Sequence, residues 1–278
     1  MATTLSKPIS PVKIEKPAAS GMFATLTIPL CIVVAIIIYI FILGDASHYE
    51  GGDAEKGLPI DFFGTMHKGG KLVPVIMSYL LMVIVFSIER FSVIGKASGT
   101  SNVDIFVRKI QSFLNAGNID SASAECDKQK GSVANVIKSG LKKYREMELE
   151  PTLDVDQKTM AIQKDIEEAT SLEMPMLEQN LTIIATLVSI GTLTGLLGTV
   201  FGMIAAFAAL ATSGSASSTA LSAAISEALV NTALGISTSA ISIVMYNIFT
   251  SKIDKLTYAI DETGFSIVQT FAASHKNK

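Results

Sequence analysis

The sequence predicts an all-α, polytopic membrane protein whose long transmembrane helices extend into a cytoplasmic helical bundle. Three observations carry that expectation. Hydrophobic residues make up 49% of the 278 positions and charged residues only 17%, where an average soluble domain has about 25%. Four stretches, near 26–43, 72–88, 181–211 and 220–249, are apolar enough to span a bilayer, which takes about 20 residues of helix. Between Glu178 and Lys252 the chain carries a single formal charge, Glu227, inside a hydrophobic helix.

Taken in order, residues 1–25 contain Pro8, Pro11 and Pro17 among Lys, Ser and Thr, and read as a mobile tail. The apolar run 26–43 is longer than the roughly 7–15-residue core of a secretory signal. No small-x-small site follows cleanly before Asp45, so the run reads as an additional, uncleaved anchor. Residues 44–71 form a polar periplasmic loop, too small for a folded sensor domain, and 72–94 form the second span.

Residues 95–178 are the one sizeable soluble region and are expected to be helical. Val103, Phe106, Val107, Ile110, Phe113 and Leu114 make a stripe at helical spacing, which Gly117-Asn118 ends. Asp120 is expected to cap the next helix, SASAECDKQ, and Gly131 opens a third with Val133, Val136, Ile137 and Leu141 inward. Pro151 interrupts, and a long helix from about Val155 is expected to run through Pro175 into the third span. Spans 179–211 and 220–250 flank an uncharged hairpin, 212–219, and 251–278 forms a cytoplasmic C-terminal segment. Thirty residues of helix reach about 45 Å, beyond a ~30 Å hydrocarbon core, so these spans should project out while packed on protein.

Basic residues favour the cytoplasmic side of short loops. Arg90, Lys96, Arg108 and Lys109 flank the second span, Lys252 and Lys255 follow the fourth, and the 212–219 hairpin has none. The soluble region and C-terminus are therefore expected inside, and parity puts the N-terminus there too. A net charge of −3 argues against nucleic-acid binding. Cys31 and Cys126 imply no disulfide or metal framework. No nucleophile, metal cluster or phosphate loop is evident, so neither an enzyme, a metal nor a cofactor is expected.

Gly191, Gly195, Gly198 and Gly202 are spaced four, three and four along one face of the third span. Such small-xxx-small patterns let helix backbones approach closely, and helix packing is the expected role. Thr192 and Thr199 lie beside that stripe, where a hydroxyl can bond an ion, a water or a neighbouring carboxyl. In the fourth span Glu227, Asn231, Thr238 and Ser242 share a face, with Thr232 adjoining. A carboxylate at membrane depth costs roughly 2.5–3.5 kcal/mol on insertion scales, and polar intramembrane contacts return only about 0.6 kcal/mol on average. Ion handling is therefore preferred over a purely structural role. A relay usually chains several titratable groups. His48 and His67 lie in the outer loop and His275 near the C-terminus, so the second titratable group is expected from another chain. Glu89 and Arg90 read either as an interfacial ion pair with Arg90 snorkelling or as a brace of the inner gate.

At GLLGTVFGMIAAF (195–207) and ISEALVNTALGISTSAISIVMYNIF (225–249) the chain resembles the MotA/TolQ/ExbB proton-channel family, and its ExbB/TolQ branch most. Ile88-Glu89-Arg90 resembles the family's hydrophobic-Glu-Arg signature, and AGNIDSASAECDKQKGSVANVIKSGL also has the family character. The resemblance implies a bacterial inner-membrane subunit that forms a ring, a pentamer in the family, around an ExbD- or TolR-like single-span partner that supplies an aspartate. By motif position the family's intramembrane glutamate falls on Glu227 and its channel-facing threonines on Thr199 and Thr232. The implied function is to use the proton motive force to energise a periplasm-spanning, TonB-like protein. A TolQ-like envelope role, a gliding or motility stator and a non-conducting scaffold are the alternatives. Two departures stand out. Thr192 occupies the region where the family usually has a proline, and 26–43 adds a span to the usual three.

Overall fold

The computed structural model describes residues 18–54, 57–213 and 218–275, and the described residues are almost wholly helical. Among them there is no strand, only a lone antiparallel bridge between Tyr49 and Pro59. The first helix, α1 (Ala18–Ile37), passes into a π-helical turn, Ile38–Leu43, and reaches eight residues further towards the N-terminus than the expected start of the first span. Residues 1–17 of the expected tail lie outside the described residues. The loop that follows is folded: Asp61 Oδ1 accepts from Gly64 N and caps α2 (Phe62–His67).

The second span is α3 (Val73–Ser98), with Pro74 in its first turn, where the missing N–H breaks no helical bond. Three short helices follow. Asn102 caps α4 (Val103–Asn115), and the hydrophobic stripe expected there puts Phe106, Val107, Ile110 and Leu114 in the core. Gly117, at φ +68°, closes α4, and Asn118 caps α5 (Ile119–Gln129) by accepting from Ser121 N. Asn118 thus takes the role expected of Asp120, because Asp120 is already inside the first turn, where its carboxylate pairs with Arg145. Gly131 opens α6 (Gly131–Leu149).

A capping box between Asp154 and Gln157 starts α7 (Val155–Glu178). The continuous helix expected from Val155 into the third span is broken. Pro175 has no N–H to give, and Asn180 adopts a left-handed backbone at φ +62°, a conformation that asparagine tolerates at helix C-termini. The chain restarts as α8 (Leu181–Ser213) and returns as α9 (Ser218–His275). Of the expected 212–219 hairpin, residues 214–217 lie outside the described residues.

At 58 residues α9 is about 87 Å long, far more than a bilayer core requires. Fourth span and C-terminal segment are therefore one helix. Its first half pairs with α8, and its second half contributes Phe249, Ile253, Leu256, Ile260, Ile267 and Phe271 to the core of the α4–α7 bundle. The Tyr144 ring meets Phe271 edge-on at 4.9 Å. Both cysteines are buried and unpaired, and burial pushes the Cys126 thiol up to about 12. The α1 and α8 surfaces expose Leu26, Leu30, Val33, Phe41, Leu193 and Ile204, as a lipid- or subunit-facing surface does.

Candidate functional site

The α8–α9 contact is built on small residues. Gly191, Gly195, Gly198 and Gly202 are all buried there. A Cβ on Gly195 would press on Gly235 Cα at 3.2 Å, and one on Gly202 on Ala228 Cβ at 2.7 Å. One on Gly198 would run into the Asn231 side chain. The backbones are close enough for side-chain hydroxyls to cross between them. Thr232 Oγ1 donates to Gly195 O at 3.2 Å, and Thr192 Oγ1 bonds Ser239 Oγ at 2.8 Å. Helix α8 runs unbroken through Thr192, so the kink a proline would impose at this place is absent.

Glu227 lies on α9 level with the first turn of α3, at the loop end of the molecule. Its carboxyl group abuts Gly70, whose φ of +77° and missing Cβ leave the space that the carboxyl fills. One turn along α9, Asn231 is 1% exposed and donates from Nδ2 to Gly69 O at 2.8 Å. Its Oδ1 has no hydrogen-bond partner among the described residues. Thr199 is partly exposed on α8, its hydroxyl bonded to Leu196 O at 2.6 Å. Glu227, Asn231 and Thr232 thus follow one another down α9, with Gly69-Gly70 on one side and α8 on the other.

Neither glycine was singled out from the sequence, because a pair in a polar loop shows nothing of its neighbours until the loop folds. Tyr39 was not singled out either, and His67 was set aside as an outer-loop residue unable to supply the second titratable group. In the folded structure their rings are 4.5 Å apart.

At the other end of α3, Arg90 is 1% exposed and pairs with Glu89 through two nitrogens, Nε to Oε2 at 2.6 Å and Nη2 to Oε1. Its Nη1 donates to the carbonyls of Met176 and Leu177, both at 3.2 Å. Asn180 Nδ2 reaches Glu89 Oε2 at 3.4 Å. The pair is locked under the α7–α8 break, with no route for Arg90 to snorkel. Between α8 and α9 at this end, Glu178, Thr182, Tyr246, Thr250 and Asp254 line a cavity of about 430 Å³. Among the described residues no group of three or more His, Cys, Asp or Glu is placed to hold a metal.

Four helices long and apolar enough to cross a membrane make this a multi-pass membrane protein, and the carboxyl group of Glu227 in the fourth lies against Gly70 at the start of the second. Residues 128–262 match the family model described as the MotA/TolQ/ExbB proton channel family. The chain is 25% identical over 154 residues to the Tol-Pal system protein TolQ of Pseudomonas aeruginosa, covering 55% of this chain and 67% of that one. It is 24% identical over 200 residues to a putative ExbB homolog of Methanothermobacter thermautotrophicus, covering 70% and 66%. It is 30% identical over 102 residues to the biopolymer transport protein ExbB of Xanthomonas campestris, covering 37% and 40%. The matches thus span from two-fifths to two-thirds of these relatives' lengths. These matches support the MotA/TolQ/ExbB proton channel family for this chain, on its ExbB/TolQ branch.

Proposed function

We propose that this chain is the ring-forming subunit of a proton-driven motor in the bacterial inner membrane, with Glu227 as its proton-carrying group and Thr199 and Thr232 along the same path. The reading rests on one observation above all: the single charge between Glu178 and Lys252 sits on α9 against the folded loop at Gly70, in no ion pair among the described residues. An isolated structural carboxylate is poorly compensated in such a place. A carboxylate that binds and releases a proton needs it.

The partner is a single-span, ExbD- or TolR-like chain whose aspartate supplies the second titratable group, inside a pentamer. The loop end faces the periplasm and the α4–α7 bundle the cytoplasm, in keeping with the basic residues after α3 and along α9. The cavity lined by Glu178 and Asp254 lies at the inner end of the path, and Glu89–Arg90 hold the α7–α8 break against α3 beside it. The powered device is a TonB-like protein serving outer-membrane uptake. A TolQ-like envelope role is the second reading, favoured by the match to the Pseudomonas aeruginosa protein over more than half of this chain.

Replacing Glu227 with Gln tests the mechanism. The expected outcome is loss of energised function with ring assembly intact, followed by native gel and proton flux. Full activity in that variant overturns it. Uptake of an iron chelate in a strain lacking the chain separates the two devices. Loss of uptake supports the TonB role, and normal uptake with a leaky envelope supports the Tol role.

A further inference from the structure

Tyr39, Tyr49 and His67 form a cluster where the loop folds against the end of the first span. Its members come from the π-helical end of α1, the middle of the loop and the last turn of α2. Tyr49 is buried, with its hydroxyl 2.7 Å from His67 Nδ1 and 3.2 Å from the Leu43 carbonyl oxygen. The Tyr39 ring lies tilted against the imidazole at 4.5 Å, and its hydroxyl donates to the His67 main-chain carbonyl at 3.1 Å. His67 itself is half-buried, with Nε2 turned towards Gly44. Three residues further on, Gly70 abuts the Glu227 carboxyl.

The titratable and charged groups around His67 are Tyr39 of the π-helical turn, Tyr49 and Lys68 of the loop, and Glu227 of α9 beyond Gly70. His48 and Asp61 bond each other at the opposite end of α2. Burial, with Lys68 adding to it, holds His67 below the ordinary imidazole value of 6.5, so the ring is neutral at neutral pH. The Tyr49 hydroxyl suits either tautomer. It donates to a bare Nδ1, or it accepts from Nδ1–H while donating to the Leu43 carbonyl. A ring whose hydrogen bond survives exchange of the proton between its two nitrogens is suited to pass protons on.

Resting on the reading of Glu227 as the proton-carrying group, we propose that His67 is the proton-exchange residue through which protons from the loop side reach Glu227, with Tyr39 and Tyr49 as positioning residues. A proton from water adds to the neutral imidazole and gives imidazolium. The imidazolium then releases a proton towards Glu227, whose carboxylate becomes the acid as His67 returns to neutral. One proton moves, and no other bond changes. The additional first span then helps to position the relay, because it carries Tyr39.

The test is proton flux driven by a potassium diffusion potential, in membrane vesicles from cells making the full chain with its natural partners. His67→Asn keeps an acceptor near the Nδ1 position for Tyr49 but carries no proton. It should slow flux by roughly a hundredfold, the low end of general acid–base contributions. It should also remove the rise in flux that native vesicles show as the loop-side pH falls through a titration below 6.5. His67→Ala should be restored in part by added 4-methylimidazole. Tyr39→Phe, which removes the hydroxyl bonded to the His67 main chain, should shift the pH profile. Native flux and pH profile in His67→Asn overturn the inference, as does a His67→Ala loss that 4-methylimidazole leaves unchanged, which marks a structural role. Glu227→Gln runs alongside. Native flux in that variant fails the underlying reading, whereas a dead Glu227→Gln beside a native His67→Asn fails this inference alone.

Discussion

Gly70 and Glu227 are 157 positions apart and share one small volume. With φ at +77° and no room for a Cβ beside the carboxyl, Gly70→Ala meets both a strained backbone and a collision. That substitution adds no charge, yet it should displace Glu227 and cut energised function at least about tenfold, a factor that corresponds to about 1.4 kcal/mol. Proton flux checks it, with Gly51→Ala as the comparison, since a Cβ on Gly51 meets nothing and only the shared positive φ remains. Cys126 makes a separate residue-scale prediction. Burial raises its thiol from 9.0 to about 12, so the folded state favours the protonated form. The stability this contributes is fully present below pH 9.0 and declines as pH rises towards about 12. N-ethylmaleimide should label Cys126 slowly at pH 8 in the native protein and rapidly after denaturation, measured by mass spectrometry. The Glu227 signal itself was legible in the sequence, because a lone charge in an apolar run needs no neighbours to stand out. Its surroundings were not legible, because Gly69, Gly70, Tyr39 and His67 gain meaning only when the loop folds back over α9.

Among elements, the α8–α9 pair depends on four glycines and the α7–α8 break on one buried ion pair. Gly198→Leu should separate α8 from α9 at Asn231 and destabilise the hairpin by about 1–3 kcal/mol, the range for overpacking. Leu197→Ala, on the exposed face one residue away, should change little by comparison in a detergent thermal melt. Arg90→Ala strips Glu89 of its partner and leaves the Met176 and Leu177 carbonyls without their donor. A loss of about 3–5 kcal/mol is expected for breaking a buried pair, read as a lower melting temperature and faster proteolysis near residues 178–181. The glycine spacing was readable because helical periodicity maps it onto one face. The break at Asn180 was not, since Pro175 lies early enough for the helix to continue past it for another turn.

Over the whole molecule, one 58-residue helix ties the membrane-facing half to the bundle. A displacement of α9 at Glu227 has a continuous, hydrogen-bonded route to Phe249, Ile260 and Phe271, some 20–45 residues away. The sequence by itself determined the class of molecule: hydropathy and length dictate membrane-spanning helices, the lone carboxylate nominates the ion site, and the GLLGTV and ISEALVNTALG segments carry the family. Tertiary structure decided what touches what. Close approach through glycines, the left-handed turn at Asn180 and the loop that lays Tyr39, His67 and Gly70 about Glu227 are all long-range contacts, and hydrophobic periodicity, being local, holds no information about them.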